Sequence, residues 1–517
     1  MFKFANDPFE YVAPSVCIGV VLSMILGPMY FPRIWILFLA GYFMIIFGTQ
    51  FNHLFQFYKT STKIKRTINK DQDNITNHII TEMESCLAFD DLVHAIVVPN
   101  YSEPEALIKD TINRIAIHKK ARTNYVLVLA MEASELFHTT KSDHLKEYFN
   151  DKFLDFIVTN HPSDLPGEAR GKGSNISYAA RKACAELIQK GMDIKRIMIT
   201  IADSDSHIPE LYMTEVEREF KFTEDPYFKV YAPPIFFSRN CFNVPAAVRV
   251  TDITWSSMMM ANLSGSRGIG FPCSTYSLSC VLADKVGYWD TDADAVGEDM
   301  HMTLKCIFKT QGRARMVPIF VPINLMNVET EGYLSNLNAR FVQAKRHYNG
   351  VADVSFTLRN ALNLLPTCCT DSHYNSFEKM IIVLKVFETH FVPVTSGWIM
   401  FLSVPLMKIV FSFENPIMDS SFYMHVWHIL KLTSVFLPVP LFCTLFIYEN
   451  LHRFIDLEFL NKTKQESRTW INYFDYISMP VAAWLFMTVP SNIASCKRLF
   501  KSRDQYIVAE KIFHDSL

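Results

Sequence analysis

The stretch RIMITIADSDSHIP, residues 196–209, decides the fold of this chain. Its first half is strongly apolar, as in a buried strand, and it ends on a polar turn that carries Asp203 and Asp205. Two carboxylates at this spacing can hold a hard divalent cation, which in turn can bridge a diphosphate. By itself the pair is a weak signal, because an aspartate at a strand end often only caps a helix or faces solvent.

Three similar apolar runs lie upstream, and amphipathic helical patterns separate them. The runs are HAIVVPN (94–100), NYVLVLAME (124–132) and DFIVTN (155–160). This alternation predicts an α/β domain with a parallel sheet over residues 86–350. Loops at the carboxyl ends of parallel strands bind ligands in such folds, so we expect a Rossmann-like nucleotide crevice there.

The composition excludes several classes of protein. The 517 residues include 50 Lys and Arg against 52 Asp and Glu, which gives a net charge of -2 and argues against a nucleic-acid partner. The 42 Phe and 21 Tyr exclude a disordered chain. The 11 Cys show no CxxC spacing, so neither a zinc site nor a disulfide scaffold is expected.

Long apolar stretches flank the α/β region. Residues 11–32 carry no formal charge and residues 34–58 carry only a histidine, so residues 1–58 are predicted to form two transmembrane helices. A basic linker, residues 59–85, begins with a lysine- and arginine-rich cluster, and the positive-inside rule then places the α/β domain in the cytosol.

The C-terminal membrane topology is ambiguous from the sequence. We expect interfacial helices over 351–392, transmembrane helices over 393–496 and a basic tail over 497–517. The number of crossings is three, or four if 379–392 also crosses. Three crossings would place the tail outside, whereas Lys497 and Arg498 favour the cytosol, so the sequence leaves the count open.

Three further motifs carry polar groups suited to chemistry. RGKGSN (170–175) places Lys172 between two glycines at a helix start, where a cation and backbone N–H groups can meet phosphate. VGEDMH (296–301) opens a helix with two acids, which can serve the helix dipole or act as a general base. RFVQAKRHYNG (340–350) offers a polar helix face just before the chain returns to the membrane.

Taken in this order, the motifs resemble those of the inverting family 2 glycosyltransferases of the GT-A fold. The resemblance is to their membrane-embedded polysaccharide synthases, of the cellulose, hyaluronan and chitin synthase type. It covers roughly residues 90–350 and adds three motifs to those above: VPNYSEP (98–104), AME (130–132) and FPCST (271–275). DSD, GED and QAKRH match the family's metal (DxD), base and Q-x-x-R-W motifs.

The resemblance assigns the donor side of the site. Tyr101, Glu103 and Glu132 are implied to line the nucleoside pocket, and Lys172 is implied to face the diphosphate. Asp203 and Asp205 are implied to contact the nucleotide and its Mg²⁺ or Mn²⁺. Of these two, Asp205 is implied to be the more direct metal ligand.

The resemblance also assigns the base and the acceptor side. Asp299, preceded by Glu298, is implied to deprotonate the acceptor hydroxyl in a single displacement with inversion, without a covalent intermediate. The acceptor motif contributes Cys273 and Ser274. On the last helix, Gln343 and Arg346 are implied to hold the donor sugar and diphosphate, and His347 is implied to lie under the acceptor sugar.

Three positions depart from the family pattern. Glu132 stands for the usual Asp, Ser274 for a Gly and His347 for a Trp. The last change weakens the stacking surface for an acceptor sugar.

The expected function is transfer of a sugar from a UDP-sugar to a growing β-linked polysaccharide at the cytosolic face, with export through a lipid bilayer. The plasma membrane is expected rather than the ER or Golgi. A non-processive transferase that adds one sugar to a lipid or glycan is the alternative. A catalytically inactive transporter or scaffold is a remote alternative.

Overall fold

The N-terminal part is two long apolar helices. The structure, a computed structural model, describes residues 7–76, 92–292, 295, 297–363, 376–412 and 420–500. A short 3-10 turn, Pro8–Tyr11, leads into α1 (Val12–Tyr30), and α2 (Pro32–Thr76) follows after one residue. The predicted basic linker therefore begins as a helical extension of α2, and its residues 77–85 lie outside the described part of the chain.

The α/β unit comes next. In chain order its elements are β1 (Val93–Asn100), α3 (Glu105–Ala116), α4 (Ala121–Asn124), β2 (Tyr125–Glu132), α5 (His138–Phe149), β3 (Asp155–His161), α6 (Lys172–Gln189), β4 (Ile197–Ile201), α7 (Glu210–Phe222), β5 (Lys229–Ala232), β6 (Ile235–Phe236), α8 (Ala246–Leu263), β7 (Tyr276–Ser279), α9 (Cys280–Val286), α10 (Glu298–Lys309), β8 (Arg315–Pro318), β9 (Ile323–Asn324) and α11 (Tyr333–Tyr348). This arrangement confirms the predicted α/β fold.

One mixed sheet organises the unit. Its seven strands lie in the order β3-β2-β1-β4-β7-β5-β8, and β6 and β9 form a separate pair. Strands β1 to β4 are parallel, whereas β7 runs antiparallel between β4 and β5. The carboxyl ends of β1, β2 and β4 therefore meet at one edge, which is where open α/β sheets bind ligands.

Both faces of the sheet are covered by helices. Ile176 of α6 and Met302 of α10 pack with the strands on one face. Ile108 of α3, Leu145 of α5 and Val216 of α7 pack on the other. The strands are continuous apolar runs because they are buried on both sides.

The remaining chain is helical. Its elements are α12 (Ala352–Asn363), α13 (Ser376–Ser412), α14 (Ser421–Phe436), α15 (Val439–Phe454), α16 (Met479–Ala483) and α17 (Val489–Lys497), with a 3-10 helix at Trp470–Ser478 and π-helical turns at Ile455–Phe459 and Trp484–Thr488. Helix α13 continues through Pro393, so the expected boundary at 392/393 lies inside one helix. That helix has no loop that would let 379–392 cross separately.

Five helical stretches of the described residues are long and apolar enough to cross a membrane. They are Pro8–Tyr30, Pro32–Lys70, Ser376–Ile409, Ser421–Phe459 and Trp470–Phe500. The chain thus has the composition of a multi-pass membrane protein. The last 17 residues of the predicted basic tail, 501–517, lie outside the described residues.

The α/β unit rests directly on the membrane helices. On one side Ile64 and Ile68 of α2 share a core with Val250 and Ile253 of α8. On another side Tyr348 of α11 packs in a cluster with α17. Helices α8 and α11 therefore form part of the contact between the sheet domain and the membrane part.

Candidate functional site

A lysine shared by two carboxylates lies at the carboxyl edge of the sheet. Lys172 is the first residue of α6, and its Nζ lies 2.6 Å from Asp203 Oδ1 and 2.6 Å from Glu298 Oε1. Asp203 follows β4 and Glu298 begins α10, so three predicted motifs that are far apart in sequence meet here.

The charges of this cluster determine its protonation. Burial disfavours the charged ammonium, but Asp203 and Glu298 outweigh burial and raise the pKa of Lys172 well above its usual value. Burial raises the pKa of Glu298 to about 7, although Lys172 opposes the shift and nearby Asp299 adds to it. Lys172 is therefore a permanent cation, and Glu298 holds a proton part of the time near neutral pH.

Ser274 joins the predicted base to the predicted metal motif. Its backbone N–H donates to Asp299 Oδ2 at 2.9 Å, and its hydroxyl donates to Asp203 Oδ2. The other oxygen of Asp299, Oδ1, accepts from Met300 N at 2.8 Å at the start of α10. The backbone of Ser274 is left-handed, with a φ of 64°, a conformation that favours the glycine of the family pattern.

The turn that carries the two aspartates is held through its carbonyls. Thr111 Oγ1 donates to Ser204 O at 2.7 Å, and Arg239 Nη1 donates to Asp205 O at 2.6 Å. Met326 N donates to Asp205 Oδ2 at 3.3 Å. Asp205 is 2% exposed, whereas the Asp203 side chain is 28% exposed, so Asp203 is the more accessible of the pair.

Asp203 and Asp205 fit a metal ion whose remaining ligands come from a substrate. No group of three or more His, Cys, Asp or Glu that could hold a metal ion occurs among the described residues. Mg²⁺ commonly takes one or two protein carboxylates and completes its shell with phosphate oxygens and water. Asp203 and Asp205, on one turn, supply carboxylates of this kind.

Two of the predicted nucleoside residues follow β1. Tyr101 N donates to Glu103 Oε2 at 2.6 Å, so the two residues form a tight turn. Lys141 Nζ donates to Glu103 O at 2.7 Å and ties this turn to α5.

Glu132, at the end of β2, is engaged by a histidine that sequence analysis missed. His161 Nδ1 lies 3.1 Å from Glu132 Oε1, and its Nε2 lies 3.1 Å from Glu168 Oε2. Burial lowers the pKa of His161, but the two glutamates outweigh burial and raise it overall. No local sequence pattern predicts this triad, because the three residues come from different segments.

Helix α11 brings the last motif to the same cleft. Gln343 accepts from Arg340 Nη1 at 3.0 Å, and Arg340 pairs with Asp252 of α8 at 2.8 Å. Arg346 and His347 lie one turn further along α11. His347 is solvent-accessible but enclosed by protein. This limited hydration, followed by the charge of Arg346, lowers its pKa well below its usual value.

The surroundings of His347 include the charge cluster. Asp203 and Lys172 both contribute to the shifted pKa of His347, so its ring lies within electrostatic reach of their pair. We therefore treat the predicted acceptor-floor residue and the predicted diphosphate lysine as members of one candidate site.

An aromatic wall borders the acceptor motif. Burial, and then the charge of Asp299, raises the pKa of Cys273, and the side chain of Trp255 on α8 opposes this shift. The Trp255 ring meets Tyr348 of α11 edge-on, with centroids 6.4 Å apart. Trp255 has the flat apolar face that sugar rings stack on, and sequence analysis missed it because no motif surrounds it.

A second buried cluster anchors the helix of the predicted base. His301 Nδ1 lies 2.6 Å from Asp353 Oδ1 and its Nε2 lies 3.0 Å from Asp290 Oδ2, while Lys305 Nζ lies 2.6 Å from Asp290 Oδ1. Burial by itself lowers the pKa of His301, but the two aspartates raise it to about 10. A protonated His301 therefore links α10 to α12 two residues after Asp299.

We expect Ser274→Gly to be more stable than Ser274→Ala by about 1 kcal/mol. Both variants lack the hydroxyl that binds Asp203, so their difference isolates the cost of the left-handed backbone. Thermal or denaturant unfolding of the detergent-solubilised chain measures it. Equal stability of the two variants would contradict the backbone assignment.

We expect the His301→Gln variant to lose less thermal stability than the unmodified protein as the pH becomes alkaline. The folded-state pKa of His301 lies above the ordinary value of about 6.5, so its stabilisation is complete below that value and is lost as pH rises through about 10. Melting temperatures of both proteins, measured at steps of about one pH unit from pH 6 to pH 10, test this. Parallel pH profiles would show that His301 is not held as a cation.

Comparison with known proteins finds a family model that matches just under half of the chain. A family model described as "Glycosyl transferase family group 2" matches residues 198–451. No curated protein sequence matches the chain.

Solved structures share only a distant likeness with the chain. A mannosyltransferase from Pyrobaculum calidifontis in complex with GDP-Man and Mn²⁺ is 12% identical over 84% of this chain and 97% of its own, with a TM-score of 0.41. S. aureus TarS 1-349 in complex with UDP is 11% identical over 69% and 91%, with a TM-score of 0.36. A glucosyl-3-phosphoglycerate synthase from Mycobacterium tuberculosis in complex with UDP is 11% identical over 54% and 82%, with a TM-score of 0.31. These values are too low to assign a substrate.

The family match covers most of the site. Residues 198–451 include the DSD turn, the acceptor motif, the start of α10 and all of α11. Residues 198–451 are accordingly similar to the glycosyltransferases of family group 2, and they lie in the mixed α/β sheet unit and the helices that follow it.

Proposed function

We propose that this chain transfers a sugar from a UDP-sugar to a hydroxyl of a growing β-linked polysaccharide, with inversion at the anomeric carbon. One observation carries the proposal. Ser274 binds Asp299 through its backbone and Asp203 through its hydroxyl, while Asp203 also pairs with Lys172. A candidate base and candidate diphosphate-binding groups thus share one residue as a common support.

The donor side would work by charge stabilisation. Lys172 is held as a cation, so its ammonium is ready to exchange a carboxylate partner for a diphosphate oxygen. Asp203 and Asp205 would hold Mg²⁺ or Mn²⁺, and the ion would supply positive charge to the departing nucleoside diphosphate. Tyr101, Glu103 and Glu132 remain proposed nucleoside contacts at the ends of β1 and β2.

The acceptor side would work by general base catalysis. The acceptor hydroxyl gives its proton to Asp299 as its oxygen attacks the anomeric carbon, and the bond to the diphosphate breaks in the same displacement. The adjacent Glu298 has a different task, because it pairs with Lys172. Gln343, Arg346 and His347 on α11 would hold the donor and acceptor sugars against this pair of acids.

The position of the site supports coupling to the membrane. Trp255 lies on α8 and His347 on α11, and these two helices pack against the membrane part of the chain. An acceptor bound between them would extend toward the bilayer. The lysines and arginines at the end of α2 favour a cytosolic α/β unit, and the plasma membrane is the proposed location.

A non-processive transferase is the second candidate. The observation that favours it is His347, whose imidazole offers less stacking area than the indole of the family pattern. Supplying membranes with a panel of labelled UDP-sugars and sizing the product separates the two, since a polymer supports the first and a single added sugar the second. The intact cluster of Lys172, Asp203 and Glu298 disfavours an inactive scaffold.

We expect Asp299→Asn to lower kcat for sugar transfer by roughly 10²–10⁴-fold, because the amide cannot take the acceptor proton. UDP affinity should stay nearly unchanged, since Asn still accepts from Ser274 N. Transfer of label and UDP titration measure the two quantities. Asp284→Asn, on the exposed side of α9, is the matched control, and full activity of Asp299→Asn would remove the residue from its role.

We expect Asp205→Asn to abolish the gain in UDP affinity that Mn²⁺ produces. Asn keeps an oxygen that can accept from Met326 N, so the turn should persist while the charge is lost. UDP binding with Mn²⁺ and with a chelator, compared with Asp284→Asn, measures the effect. An unchanged Mn²⁺ dependence would exclude Asp205 as a metal ligand.

A further inference from the structure

The last apolar stretch has the length of a transmembrane helix but not the placement of one. Trp470–Phe500 contains 31 helical residues with a mean hydropathy of 1.3 in its most apolar window, the lowest of the five candidate stretches. A helix that crosses the membrane must have its two ends on opposite sides. The contacts of its ends therefore decide whether it crosses.

The first end lies against the α/β unit. Asp475 accepts from Arg249 Nε at 2.8 Å and from Arg249 Nη2 at 3.1 Å, and Arg249 belongs to α8. Just before it, Arg468 makes a two-pronged ion pair with Glu449 near the end of α15, with both distances at 2.7 Å. A buried bidentate pair of this kind fixes the backbone on both sides of it.

The second end also lies against the α/β unit. Ala494 packs with Ala344 and Tyr348 of α11. Four residues later, Arg498 Nη2 lies 3.9 Å from Glu10 Oε2, just before α1. The start of the chain is itself on the domain side, because Asp7 pairs with Arg359 of α12 at 2.9 Å.

The other membrane helices connect two different sides. Along α2, Arg33 stacks over Tyr423 of α14 at 5.5 Å, and 32 residues later Lys65 stacks over Phe454 of α15 at 5.4 Å. The end near Lys65 is on the domain side, since Thr60 Oγ1 donates to Met260 O of α8 at 2.9 Å. Helices α14 and α15 thus run beside α2 as one crossing from the far side back to the domain.

Helix α13 supplies the crossing in the opposite direction. It begins on the domain side, where Glu378 accepts from Arg315 of β8 at 3.2 Å. Its later part packs with the far half of α2, through Ile399 and Met407 against Leu39 and Phe43.

We propose that Trp470–Phe500 does not cross the membrane but lies along its surface on the side of the α/β unit, so that the described part of the chain crosses four times. The four crossings are α1, α2, α13 and the pair α14 and α15. An even number returns the C-terminal tail to the side of the domain. The proposed partner of this segment is the lipid surface of that leaflet.

The side chains of the segment fit this partner. One face carries large apolar residues that are 37 to 76% exposed: Trp470, Ile471, Phe474, Ile477, Val481 and Trp484. The opposite face is buried against the protein through Tyr476, Met479, Ala482 and Phe486. An apolar face rimmed by tryptophans is typical of a helix in the membrane interface.

The arrangement also removes the conflict over the tail. Lys497 and Arg498 end the segment, and Lys501 and Arg503 follow in the sequence. With five crossings these cations would face the side opposite the basic end of α2. With four crossings both basic clusters lie on one side, as the positive-inside rule expects.

Protease protection of an epitope tag tests the proposal on the full chain in sealed vesicles. One version carries the tag after Leu517, and a matched control carries it between α13 and α14. The α/β unit of the same molecule reports its own side through its tryptic fragments. We expect the C-terminal tag to be digested or protected together with the α/β unit, and the control tag to behave oppositely.

A C-terminal tag that is protected when the α/β unit is digested would overturn the proposal, because it would require a fifth crossing. UDP binding by each tagged protein shows that it is folded. If one tagged version fails this check, labelling of Lys464→Cys by a membrane-impermeant maleimide, compared with labelling of a cysteine added after Leu517, gives the same decision. With four crossings the two positions lie on the same side of the membrane, and with five crossings they lie on opposite sides.

Discussion

The ammonium group of Lys172, held between the carboxylates of Asp203 and Glu298, is the interaction on which the rest of the site depends. It joins the start of α6, the end of β4 and the start of α10. Removing any one charge would leave the others in a partly buried cleft, where unpaired charge is costly. The cluster therefore fixes the relative positions of α6, the end of β4 and the start of α10.

Backbone groups and neighbouring polar side chains hold the residues around this cluster in place. Ser274 adopts a left-handed conformation that directs its N–H to Asp299 and its hydroxyl to Asp203. His301, paired with Asp353, ties the helix of Asp299 to α12. Fixed hydrogen-bonding groups of this kind hold catalytic side chains in place without reorganisation during the reaction.

The membrane part is an extension of the same architecture. Helices α8 and α11 carry side chains of the site on one face and pack against membrane helices on the other. The ion pair between Arg249 and Asp475 extends this contact to the segment that we place along the bilayer surface. The candidate site therefore lies next to the helices that are long and apolar enough to cross a membrane.

The sequence by itself predicted the α/β fold and the residues of the candidate site that lie in short motifs. The runs that became β1 to β4 are readable because burial on both sheet faces demands continuous apolar residues, and the DSD and GED motifs are short and local. Only the tertiary structure decided what those members contact. Glu132 pairs with His161. Ser274 binds Asp203 and Asp299, which lie 71 and 25 residues away in the sequence. Both ends of Trp470–Phe500 contact the side of the α/β unit. Hydropathy and motif spacing describe each segment alone, whereas these features arise from contacts between segments that only folding brings together.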